Sequence, residues 1–325
     1  MASMIALILQ GCVFLFAITA WAQDTREQEN LSDMPDAILK GRIQSAAGDT
    51  VFRELKSYLD TQRWQEAKSL AEQLVAGRPQ EPFPHFCLGI VLLRQQDKLA
   101  AIRCLRKAER LGFKDPALPK TLGLAYYAIN QFLLFKQQML KGIEAAPNDA
   151  WPHYYLGLHE ATVTENFTAA LSHFGRALAL RPHDSKTLYY RGLCYESLDQ
   201  RELAQKDYEE AIQQLKPSES AFSLPYQGMA RLLSRTERTE ALRYAQWAVE
   251  KGAGVADNHL ILAKIYEELG KLSEAVQQLK AAVQADPTLA SPHYQLYRLL
   301  SRLGDQGRAL SELTEFQKLK ALYGS

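Results

Sequence analysis

From Gly48 onward the apolar residues of this chain recur at helical spacing, and the pattern restarts every 34 or 35 residues. The unit from Ala256 to Leu289 shows it most clearly. Leu262, Ala263 and Tyr266 lie on one stripe, Gly270 interrupts it, and Leu272, Ala275, Val276, Leu279, Ala282 and Val283 follow the i, i+3, i+4, i+7 spacing of a second amphipathic helix. Asp286-Pro287 closes the unit, because proline cannot continue the backbone ladder and restricts the residue before it. The pattern predicts a hairpin of two helices.

The same grammar is found along the chain. A Leu-Gly pair in the middle of a first helix occurs at Leu88-Gly89, Leu122-Gly123 and Leu156-Gly157, with Arg191-Gly192 as a variant. A small residue follows in the second helix at Ala67, Ala101, Ala170, Ala204, Ala241, Ala275 and Ala309. Glycine or alanine at these two places lets paired helices approach closely, with Phe174, Tyr208 and Leu279 filling the space alongside. Closing prolines stand at Pro79, Pro147, Pro182, Pro217 and Pro287. One helix pair cannot bury its apolar stripes, so stacking of neighbours must supply the core. The predicted fold is all-α, a solenoid of about eight helix-turn-helix repeats bounded at 48–81, 82–115, 116–149, 150–184, 185–219, 220–255, 256–289 and 290–323.

These Leu-Gly pairs, the tyrosines one turn later (Tyr126, Tyr195, Tyr266), the second-helix alanines and the closing prolines resemble those of tetratricopeptide-repeat proteins. The resemblance covers roughly Gly48 to Leu322. The first repeat departs from it, with Glu54-Leu55 where Leu-Gly belongs, and the third carries bulky Phe135 in place of the small residue. The resemblance implies a right-handed superhelix whose first helices line a concave groove that binds a protein or peptide. It places Phe86, Ile90, Tyr127, Trp151, Tyr154, Leu158, Tyr189, Leu193 and Tyr294 on that groove. Aromatic rows suit an extended peptide, since rigid rings cover much area at small entropic cost. Some of these tyrosines also recur because the repeat itself favours an aromatic there. If they bind a partner, Phe86, Tyr154 and Tyr189 should be partly exposed. Lys120 alone, with Leu124 where asparagine would stand, does not make the clamp by which some members hold a C-terminal carboxylate.

The leading residues differ from the rest. Residues 1–22 carry no charged side chain, Ala20-Trp21-Ala22 supplies the small residues of a cleavage site, and the polar run Gln23-Asp24-Thr25-Arg26 follows. They read as a signal peptide cut between Ala22 and Gln23, which implies export to a bacterial periplasm or to the exterior. The rival reading is a retained anchor, because Met4–Ala22 is just long enough to span a bilayer; membrane contact is expected only in that case. Residues 23–47 read as a linker or irregular lead-in.

Composition narrows the chemistry. With 47% apolar and 23% charged residues the chain folds, and a net charge of +1 gives no reason to expect nucleic acid as partner. Cys87, Cys104 and Cys194 fit neither a disulfide framework nor a metal site. His85, His153, His259 and His293 hold the same place in their repeats, which spreads them along the stack rather than around one ion. His159-Glu160 lacks the second histidine of a zinc-protease helix, Val163 standing there, and no phosphate loop or nucleophile elbow occurs. No catalytic residue, cofactor or metal is therefore expected. Arg103, Arg106, Lys107 and Arg110 form a basic stripe that could contact an anionic lipid or polymer, but such an outer face is ordinarily just solvated. Binding scaffold is the leading expectation, membrane-tethered assembly factor the alternative.

Overall fold

The computed structural model describes residues 50–216, 219 and 221–323. Residues 1–49, which hold the expected signal and linker, and the closing Pro217 lie outside them. Among the described residues there are sixteen helices and no strand. No described helix is long and apolar enough to cross a membrane. The chain divides into two compact units, with the division after His159.

The unit that ends at His159 contains α1 (Thr50–Asp60), α2 (Trp64–Gly77), α3 (Pro82–Arg94), α4 (Lys98–Arg110), α5 (Ala117–Tyr127), α6 (Phe132–Ala145) and most of α7 (Ala150–Thr162). Each of α1 to α5 packs on the helix that follows it, and α3 also touches α5. Gly89 explains the closeness of α3 to α4: a Cβ there would lie 2.7 Å from two carbons of Leu105. Ala67 and Ala101 are fully buried on the second helices. Phe135 takes that place in the third repeat and is also fully buried, its ring 4.9 Å from Tyr127 and 5.5 Å from His159.

The unit from Glu160 contains α8 (Phe167–Leu180), α9 (Ser185–Ser197), α10 (Arg201–Gln213), α11 (Leu224–Leu233), α12 (Arg238–Lys251), α13 (Ala256–Glu268), α14 (Leu272–Ala285), α15 (Ala290–Arg302) and α16 (Gln306–Tyr323). Neighbours again pack in chain order, and first helices also meet first helices, α9 on α11 and α11 on α13. Ala170, Ala204, Ala241, Ala275 and Ala309 have no exposed surface. One core cluster runs through four helices, from Ala256, Leu260 and Ala263 through Ala275, Val276, Leu279 and Ala282 to Leu296, Leu299, Leu300 and Ala309. Apolar stripes too narrow for one hairpin are thus buried between two. This is the all-helical repeat solenoid that the periodicity predicts.

In seven of the eight described hairpins, all but that of α11 and α12, the turn is built by backbone geometry that composition conceals. Gln62, Gln96, Asn130, Glu165, Asp199, Gly270 and Gly304 all have positive φ, between 56° and 82°. Each but Glu165 is followed by an amide that donates to the carbonyl five residues back, as Asp97 does to Leu92 at 3.0 Å and Lys271 to Tyr266 at 2.9 Å. That bond satisfies a carbonyl which the helix end would otherwise leave open. The fourth repeat has one residue more, and there Asn166 donates to Glu160, six back, at 2.8 Å. Only glycine takes this conformation without a Cβ clash, yet five of the seven positions are not glycine. The side chains of Asp97, Asn166 and Asp184 then cap the helices that follow, each accepting from the amide three residues on.

A Cβ on Gly270 would meet no atom within 4 Å, so a substitution there tests the backbone alone. Gly270→Ala should destabilise by about 1 kcal/mol in urea unfolding. Gln96→Gly should be neutral or slightly stabilising, since relief of the clash offsets the entropy of glycine. An unchanged midpoint for Gly270→Ala would contradict the role given to the turn.

Candidate functional site

The first helices carry the residues expected to face a partner, and their burial divides the set. Phe86 and Ile90 are fully buried, Tyr127, Tyr154, Leu158, Tyr189 and Leu193 nearly so, Trp151 is half-buried, and Tyr294 alone is exposed, at 43%. The expectation that Phe86, Tyr154 and Tyr189 are partly exposed is therefore corrected. Phe86 lies 4.7 Å from the ring of Phe113, in the turn after α4. Tyr189 touches Tyr190, Tyr208 and Phe222 at 5.0, 5.8 and 6.0 Å. Trp151 stacks on Tyr155 at 5.8 Å and meets Tyr154 edge-on at 5.9 Å. Rings at these places join the helix to what packs over it, and the recurrence of tyrosine follows from that.

The periodic histidines serve the repeat as well. In His85 and His259 the Nε2 nitrogen lies 3.0 and 2.9 Å from the carbonyl six residues earlier, of Pro79 and Ala253, so an imidazole N–H pins each preceding loop to its helix. His293 donates through Nδ1 to Glu312 at 2.7 Å. Among the described residues no group of three or more His, Cys, Asp or Glu could hold a metal ion. Cys87, Cys104 and Cys194 are free thiols, and burial pushes the Cys194 thiol up to about 12 and raises Cys87 further. Lys120 is committed to Asp149, at 2.5 Å.

Charge is buried across the α9–α11 contact. Arg231 donates twice to Glu196, at 2.8 and 2.7 Å, and the Tyr208 hydroxyl donates to the same carboxylate at 2.7 Å. Burial alone would push the Glu196 carboxyl up, but the guanidinium overrides it and holds the group below the usual range. Arg191 and Asp207 form a second two-bond pair, both at 2.7 Å. The 35-residue spacing of the first pair repeats at Glu267 and Arg302, there as a single bond of 2.8 Å from an exposed arginine.

Asp257 breaks this pattern of satisfied charge. It lies in the first turn of α13, two residues before His259, at the register that holds Phe83, Trp151 and Ser291 in other repeats. It is 4% exposed and makes no hydrogen bond among the described residues, although its carboxylate oxygens are not sealed from solvent. Burial raises it to about 6, against partial relief from the Arg231 charge and a further push from Asp286. Its neighbour Asn258 is in contrast fully engaged, donating to the carbonyls of Ala248 and Gly252 at 2.8 and 2.7 Å and accepting from Gln227 at 2.5 Å. The signal for Asp257 was in the sequence, a carboxylate at the register that holds Phe83 and Trp151 in two other repeats; periodicity drew attention to the aromatics instead.

Stacked antiparallel helix pairs with a glycine or alanine at each crossing define a helical-repeat protein. The model of the family described as tetratricopeptide repeat matches residues 161–220 and 231–290, so the matched segments are tetratricopeptide repeats within the helical-repeat fold. Mouse tetratricopeptide repeat protein 16 is 28% identical over 156 residues, 44% of this chain, which spans only 19% of that relative. Among solved structures, the APC/C hetero-tetramer Cut9–Hcn1 is similar at TM-score 0.66 and 14% identity, over 82% of this chain and 52% of that one. Yeast Tom70 is similar at 0.59 and 16%, over 83% and 61%, and Pseudomonas aeruginosa PilF at 0.56 and 20%, over 65% and 92%. At such identities these likenesses show the fold.

Two measurements follow. Phe86→Ser should lower stability by about 3–5 kcal/mol and Tyr294→Ser by under about 1 kcal/mol, in urea unfolding followed by circular dichroism. Asp257 is raised in the folded state above its unfolded value, so its contribution is most favourable at acid pH and is lost as pH rises from about 4 to about 6. Asp257→Asn should therefore stabilise the protein by up to about 3 kcal/mol at pH 7.5, with the gain shrinking towards pH 4.5. A destabilised Asn variant at pH 7.5 would show that the carboxylate is structurally needed.

Proposed function

We infer that the chain is a scaffold that holds a protein or peptide partner against the faces of its first helices, with no chemistry of its own, in the periplasm or outside the cell. The observation that carries the reading is Asp257. The Asp257 side chain is largely desolvated and has no donor within the protein, yet its carboxylate oxygens are not sealed from solvent, so a donor on a partner can reach them. A backbone N–H or a cationic side chain of a partner laid along α13 would do so. Exposed Tyr294, on α15 of the same unit as Asp257, offers apolar contact on the next first helix. The export component rests on the uncharged residues 1–22 and their Ala20-Trp21-Ala22 site. If that segment is retained, the same scaffold becomes a membrane-tethered assembly factor; sequencing the N-terminus of the purified protein decides between Gln23 and Met1.

The test of binding uses the protein captured on immobilised wild-type chain. Asp257→Asn should weaken that complex roughly tenfold or more, the value of a hydrogen bond to a charged group, although the variant is the more stable protein. Equal affinity for the two would remove Asp257 from the interface and leave the reading without its support.

A further inference from the structure

The outer face of α4 and α6 carries a surface that neither the repeat nor the partner-facing helices require. On α4, Leu99, Arg103, Arg106 and Arg110 follow i, i+4, i+7, i+11 and make one exposed stripe. On α6 the same register holds Leu133, Gln137, Leu140 and Glu144, all exposed. Leu99 and Leu133 are 34 residues apart, one repeat, and Lys141 of α6 reaches Glu109 of α4 at 3.0 Å, so the stripes lie side by side. The leucines are 61%, 71% and 54% exposed, at Leu99, Leu133 and Leu140, which places them among the most exposed large apolar side chains described. Around them the two helices hold seven Lys or Arg and two Glu. Arg103, Lys107 and Arg110 form no ion pair among the described residues.

We propose that this face docks the protein on the surface of an anionic lipid bilayer, independently of residues 1–22. The basic stripe by itself is an ordinary solvated face. What alters the reading is the three projecting leucines beside it. A soluble polyanion would use the cations and leave the leucines in water. A bilayer surface takes both, with leucines entering the headgroup and acyl boundary while the long basic side chains reach the phosphates. The chain's net charge is only +1, so the attraction is local to this patch.

The test is sedimentation of the full chain with vesicles of phosphatidylcholine alone or with roughly a third phosphatidylserine. The uncharged segment 1–22 gives no preference between them, whereas the patch should favour the anionic vesicles by about tenfold or more at low salt, with the preference lost by about 0.5 M salt. R103E/R110E should abolish the preference, and R103Q/R110Q should reduce it; all four positions substituted in these and the next variant are exposed, and circular dichroism confirms that the fold is kept. L133S/L140S should lower anionic-vesicle binding severalfold while keeping its salt dependence. The proposal is overturned if wild type binds both vesicles equally or if the preference survives R103E/R110E. It is equally overturned if L133S/L140S binds anionic vesicles as wild type does, which would mark the stripe as a site for an acidic protein or other soluble polyanion.

Discussion

Two helices can cross with their backbones close to contact only where a glycine or alanine stands at the crossing, and everything else in this protein is arranged around that constraint. Tyr208 shows it best. Its ring lies between α9 and α11, and a Cβ on Gly192 or on Gly228 would come within 2.8 Å of ring carbons. The tyrosine is fully buried because two successive first helices both lack a side chain at that level. Its hydroxyl then reaches Glu196, which holds Arg231 from the next repeat. Close packing thus positions the charged pair, and the pair in turn has its carboxylate fully supplied with donors. A buried ion pair adds little net stability but is costly to break, so this one fixes register between neighbours more than it adds strength.

The fold was legible because periodicity is a redundant signal. Gly89, Gly123 and Gly192 and the alanines from Ala67 to Ala309 announce the crossings in almost every unit, and the departures were legible too: Phe135 fills the space that a small residue leaves elsewhere. Gly228 escaped notice because Gln227 precedes it where leucine is usual, yet it makes the same contact as Gly192. The left-handed turn series was invisible for a different reason. Gln, Asn, Glu and Asp at those positions tolerate the conformation without advertising it, and only Gly270 and Gly304 carry a compositional mark.

The recurring aromatics of the candidate site were legible, but the burial of Phe86, Tyr154 and Tyr189 was not. Repetition of an aromatic means that the repeat needs it, which is why Phe86 and Tyr189 turn out to be packed; a binding residue is more informative where it interrupts the repetition. Asp257 does so by placing a carboxylate without a protein donor at a register where two other repeats place Phe83 and Trp151. Leu99 and Leu133 do so by exposing leucine on an outward register. Both observations require burial to be known side chain by side chain, and a single sequence does not supply it.

If close approach at the glycine crossings is the governing constraint, one substitution should show it directly. Gly228→Val adds volume against the Tyr208 ring without altering charge or a left-handed turn. Its urea unfolding midpoint, with the slope unchanged, should fall by an amount worth about 1–3 kcal/mol, the cost of overpacking a filled crossing. An unchanged midpoint would mean that the helices have room to part at this level, and the account of how the repeats are held together would be wrong.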